Sequence, residues 1–132
     1  MVLKLYFSRL YDTVFSRRGV VVEYFAATED SSRQTLVIQG RLRYWDNSML
    51  RFNEELVEDR FELRKVEYVY HYQQQDGALV FRYDNVPHYP ELPTHPHHKH
   101  IGTGTAELVE AAQPPQLADV LREVERFLAS RS

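Results

Sequence analysis

The sequence predicts an α+β fold: a five-stranded antiparallel β-meander, an N-terminal and a C-terminal helix packed on it, and a long His/Pro-rich loop before the last helix. Three observations lead there. Apolar residues recur at helical spacing near both ends of the chain, alternating β-branched and aromatic segments lie between them, and short turn clusters join those segments. At 132 residues, with 43% hydrophobic and 27% charged residues, the chain has the size and composition of a single domain spanning 1–132.

Leu3, Phe7, Leu10, Tyr11 and Val14 form the apolar stripe of a first helix, and Gly19 after Arg17-Arg18 suits its exit. Val20–Ala27 reads as the first strand, and the polar turn Glu29–Arg33 leads into a second at Thr35–Tyr44. The turn cluster Trp45-Asp46-Asn47-Ser48 introduces a third strand at Met49–Leu56. Phe61–Gln73 and Leu79–Asp84 then flank the turn Gln75-Asp76-Gly77 as strands four and five. From Val86 to about Ala112 no period is visible, so the segment reads as a loop. Gln113-Pro114-Pro115 opens a final helix carrying Leu117, Val120, Leu121, Val124, Phe127 and Leu128 on one face.

Strand alternation sorts the polar residues by face. Arg41, Arg43, His71 and Arg82 fall together, whereas Tyr68, Tyr70 and Tyr72 read as packing residues of the opposite face. The acidic run Glu54-Glu55, Glu58-Asp59 is expected to be a solvated turn, and Gly102-Thr103-Gly104-Thr105 a flexible connector, since it lacks the glycine-lysine-serine/threonine ending of a phosphate loop.

A net charge of −3 argues against a general nucleic-acid coat, although a site that handles phosphate needs only a few placed cations. The absence of cysteine excludes a disulfide framework, a thiolate metal site and a cysteine nucleophile. It also fits a reducing, cytoplasmic location, and no signal peptide or membrane span is visible.

Five of the six histidines lie between Arg82 and His100, interleaved with prolines at 87, 90, 93 and 96 that restrict the backbone. Imidazoles beside Arg82, Lys99 and Tyr83 offer bases, acids and phosphate-binding cations together. Three accounts compete. One is metal-free RNA cleavage, with one imidazole taking the 2′-hydroxyl proton and another protonating the leaving oxygen. Another is metal coordination, with His97, His98 and His100 as the alternative ligand set. The last is a polar loop whose histidines are surface residues or anchors to the backbone.

The string Tyr70-His71-Tyr72-Gln73, with Phe81-Arg82-Tyr83-Asp84-Asn85, Pro87-His88 and Pro96-His97-His98-Lys99-His100, closely resembles the TumE family of toxins from bacterial toxin–antitoxin modules. The resemblance implies a small toxin inhibited by an antitoxin protein, often one with a helix-turn-helix domain, and a ribonuclease-like activity on an RNA substrate. It implies catalytic roles for His88, His97, His98, His100 and Tyr83, and phosphate binding by Arg82 and Lys99. Asp84 is expected to support a histidine or Arg82, no cofactor is expected, and His95 and Tyr89 stay outside the set. A non-catalytic module binding RNA or protein through the same loop is the alternative.

Overall fold

The computed structural model describes residues 2–60 and 62–131. Helix α1 (Val2–Phe15) is followed by strands β1 (Val20–Asp30), β2 (Thr35–Tyr44), β3 (Met49–Asp59), β4 (Glu62–Gln73), β5 (Leu79–Asp84), β6 (His98–Gly102) and β7 (Glu107–Ala111), and by helix α2 (Leu117–Ser130). The strands form one seven-stranded sheet in the order of the chain, each antiparallel to its neighbours. The α+β class, both helices and the meander agree with the sequence reading, but the sheet has two more strands than expected. Part of the expected loop is the hairpin β6–β7, closed where Thr103 N donates to Ala106 O.

The meander follows from its turns. Asp46 accepts from Ser48 N at 3.0 Å, Asn47 adopts a left-handed conformation (φ 67°), and the chain reverses between β2 and β3. Gly77, at φ 90°, does the same between β4 and β5.

One face of the sheet is dry. Leu36, Ile38, Leu42, Leu50, Phe52, Leu56, Tyr68, Tyr70, Tyr72 and Phe81 form a single core with Leu3, Leu10 and Val14 of α1 and Leu117, Val120, Leu121, Val124 and Leu128 of α2. The three alternating tyrosines of β4 are therefore core. Glu54 is there too: it lies fully buried on β3 beside Leu50, Phe52 and Leu56, where a solvated turn was expected. Its carboxylate accepts from the hydroxyls of Tyr6 and Tyr70 and pairs with Lys65 at 3.4 Å, which is the condition on which a charge stays buried. Among the described residues no helix is long and apolar enough to cross a membrane.

With both helices on one side, the other face of β2–β6 is left open. The register puts Arg41, Arg51, His71, Arg82 and His100 on that face, each directly opposite the next.

Candidate functional site

The open face ends in a cleft of about 330 Å³ at the β5–β6 pair, bordered by His71, Leu79, Arg82, Asp84, Val86, His88, His98, His100 and Glu107. Each side chain arrives there for a simple reason. Arg82 and Asp84 are two apart on β5, so they share a face, as do His98 and His100 on β6; the pairings Arg82 with His100 and Asp84 with His98 bring the four together. The turn after β5 is fixed by Val86 N donating to Asp84 Oδ1 at 3.0 Å, and it lets the proline-rich segment fold back over the strand ends. Tyr89 of that segment sets its ring edgewise against His98 and His100, with centroids 4.9 and 6.0 Å away.

Asp84 is the hub. Its buried carboxylate takes His98 Nε2 at 3.0 Å and Arg82 Nε at 3.0 Å, and His100 Nε2 stands 3.5 Å away. His98 is 2% exposed and its Nδ1 donates to Pro96 O at 2.9 Å. Both ring nitrogens of His98 thus face acceptors, which ties β5 to the segment that precedes β6. His100 is held likewise, its Nδ1 bonded to Glu107 across the β6–β7 hairpin. The Nε of Arg82 is used on Asp84, while its terminal nitrogens have no partner among the described residues and border the cleft.

His71 differs from the other histidines. Its Nε2 meets the Gln73 side-chain oxygen at 3.0 Å, and its buried Nδ1 has no hydrogen-bond partner among the described residues. Burial holds its pKa below the usual imidazole range, and the positive charges of Arg51 and Arg82 push the same way against the Gln73 bond. At neutral pH the ring is uncharged, with a free lone pair at Nδ1.

A family model described as Toxin TumE matches residues 9–132. The chain belongs to the TumE family. No match was found among curated proteins or solved structures. Membership makes this chain a toxin of the toxin–antitoxin kind and implies an antitoxin as partner.

In this TumE toxin the cleft brings together Arg82, Asp84, His88, His98 and His100, with His88 exposed at the mouth. Three other residues of the expected set lie elsewhere. Tyr83 and Lys99 point to the helix side, because each stands between two residues that face the cleft; Tyr83 Oη and Lys99 Nζ bind the two oxygens of Glu123 on α2, both at 2.6 Å. Burial raises the Tyr83 pKa, and the Glu123 bond adds to it. Burial alone would lower that of Lys99, but its bonds to Glu123 and Tyr83 outweigh this and raise it. His97, also on the helix side, accepts or donates at Nδ1 with Tyr68 Oη at 2.9 Å and lines a separate cavity with Tyr6, Lys65 and Asn85. Burial, then the neighbouring His98, lowers its pKa.

As for metal ligands, the donors that converge are Asp84, His98 and His100, whose ligand atoms lie within 4.8 Å of one another, rather than the set with His97. Glu107, Tyr89 and the free Nδ1 of His71 are the site features that the sequence reading did not single out. A signal existed for two of them: His71 stands opposite Arg82 once β4 and β5 are paired, and Glu107 stands within reach of His100 once residues 98–111 are read as a hairpin.

Proposed function

We propose that this toxin is a metal-independent endoribonuclease that uses the β5–β6 cleft. The observation that carries the reading is the row His71, Arg82, His100 on three adjacent strands: a neutral imidazole and a guanidinium whose Nδ1 and terminal nitrogens have no partner among the described residues, and an imidazole hydrogen-bonded to Glu107 and facing Asp84. At about 4.8 Å per strand the two histidines flank Arg82 with about 10 Å between their backbones, which leaves room for a phosphodiester in the middle.

In this reading substrate binding turns His71 Nδ1, buried in the free protein, toward the cleft, where it takes the proton from the ribose 2′-hydroxyl, and the oxygen attacks the adjacent phosphorus. The free nitrogens of Arg82 meet the negative charge that grows on the phosphorane oxygens. His100, held by Glu107 at Nδ1 and facing Asp84 with Nε2, gives a proton to the departing 5′-oxygen. The P–O5′ bond breaks, leaving a 2′,3′-cyclic phosphate and a 5′-hydroxyl. His98 and Asp84 hold Arg82 and His100 in place, and His88 meets the strand at the mouth of the cleft.

One observation favours a second reading. With Nδ1 of both His98 and His100 engaged, their Nε2 atoms face Asp84, the orientation that metal-binding imidazoles adopt. Against it, Asp84 already meets His98, Arg82 and the Val86 amide, which fills most of its acceptor positions. The test is purified protein on end-labelled RNA with and without chelator. Cleavage that persists in chelator, and that falls about 100-fold or more in His71→Gln and His100→Ala, supports imidazole chemistry. Cleavage that needs added zinc or manganese assigns the cluster to a metal, and RNA binding without cleavage leaves a binding module.

A further inference from the structure

The catalytic row does not stop at the cleft. It continues across the open face through Arg51 on β3 and Arg41 on β2 to Tyr24 on β1, each directly opposite its neighbour. Like charges set directly opposite on adjacent strands destabilise a sheet, so Arg41 facing Arg51 carries a folding cost that packing does not require, and Arg82 adds a third guanidinium beyond His71. Arg41 shares Glu23 with Arg43, whereas Arg51 is exposed and without an ion-pair partner among the described residues. Tyr24, Arg41, Arg51 and Arg82 border a groove of about 440 Å³, and Arg82 also borders the cleft, so the two hollows share its side chain as a common wall. Tyr24 is 49% exposed at the far end.

Charge on this face is segregated. Two rows away, Glu55 and Glu67 face one another across β3 and β4, so an anion is repelled along the strands and attracted across them. From Tyr24 to Arg82 the row crosses five strands, about 19 Å, a length suited to a single-strand site of about 4 nucleotides. A line of guanidinium groups ending in an exposed aromatic ring is the arrangement that grips a polynucleotide backbone and stacks a base.

Resting on the ribonuclease reading, we infer that the row Arg41–Arg51–Arg82 is the track of a single-stranded RNA substrate, with Tyr24 stacking a base upstream or downstream of the cut. The site would then bind several nucleotides beyond the two that flank the scissile bond. It would also disfavour duplex RNA, whose bases are not free to stack on Tyr24.

The test uses the full chain and two probes: an eight-nucleotide 2′-O-methyl RNA, which lacks the attacking hydroxyl, for binding by fluorescence anisotropy, and a dinucleotide for cleavage. Expected are a loss of affinity of about tenfold or more in Arg51→Glu and in Tyr24→Ala, and a salt slope shallower by about 0.7 in Arg51→Ala, one phosphate contact removed. Dinucleotide cleavage should be unchanged in Tyr24→Ala, and thermal melting should show all three variants folded. Oligonucleotide affinity unaffected by Arg51→Glu and Tyr24→Ala overturns the track, even where dinucleotide cleavage stands. Loss of antitoxin co-purification in Arg51→Glu with RNA affinity intact also overturns it and gives the face to the antitoxin. Absence of both binding and dinucleotide cleavage in the parent protein overturns the track and the ribonuclease reading together.

Discussion

Replacing His98 separates support from chemistry. Its ring is 2% exposed and bridges Asp84 on β5 to Pro96 O in the segment that precedes β6. His98→Ala removes a charge-assisted hydrogen bond and a bond to a carbonyl, and leaves a buried carboxylate with one partner fewer. Together these cost about 3 kcal/mol. An unfolding entropy of about 2.1 cal/mol/K per residue gives a chain of 132 residues roughly 0.28 kcal/mol per degree, so the expected fall in Tm is about 10 °C. His100→Ala is the comparison: its bond to the half-exposed Glu107 is worth about 1 kcal/mol and its loss lowers Tm by about 4 °C. Thermal melts followed by circular dichroism, alongside RNA cleavage, read both quantities. If His98→Ala melts within about 3 °C of the parent while cleavage disappears, His98 is a chemical group and the division of labour argued here is wrong.

Other outcomes follow from the same geometry. The pH–rate profile of kcat/KM should rise through the His71 pKa, below the usual imidazole value, and Arg51→Ala should move that limb to higher pH by removing a positive neighbour. Since folding depresses the His71 pKa, the folded state binds fewer protons there than the unfolded chain. Stability that His71 contributes above its unfolded pKa is therefore lost as pH falls toward the folded one, and His71→Gln should flatten that part of the stability–pH curve in chemical denaturation. Glu54→Gln should lower stability by about 3 kcal/mol in urea titration, because the Lys65 ammonium and two tyrosine hydroxyls lose the charge they surround; a loss under 1 kcal/mol would contradict the buried network. Gly102→Ala should disrupt the β5–β6 pairing and with it cleavage, since a Cβ there would stand 1.8 Å from the Leu79 carbonyl oxygen; a soluble variant with parental activity would refute this.

Much of this was legible in the residues, for identifiable reasons. The helices and β1–β5 showed their periods because one face of each packs into a core while the other meets water. β6 and β7 did not, being only five residues long and carrying polar side chains on the outward face. Four prolines before β6 also draw any window over it toward loop. Reading His98-Lys99-His100 as a strand would have placed both histidines on one face and Lys99 on the other, which is what separates Lys99 from the cleft. Glu54 was hidden by composition: its neighbours Glu55, Glu58 and Asp59 suggest water, although the alternation Leu50, Phe52, Glu54, Leu56 puts it in the core. Arg82 and Asp84 were legible as partners on β5, whereas the free Nδ1 of His71 depends on where Gln73 points, which no sequence pattern states.

The central claim is that imidazoles of the β5–β6 cleft, flanking Arg82, cut RNA by moving the 2′-hydroxyl proton. Mass spectrometry of the new 3′ ends, after digestion of a defined RNA in the presence of chelator, tests it most directly. Ends carrying a 2′,3′-cyclic phosphate, absent with His71→Gln and His100→Ala, are the predicted result. A 3′-hydroxyl with a 5′-phosphate, or cleavage indifferent to those two substitutions, would contradict it.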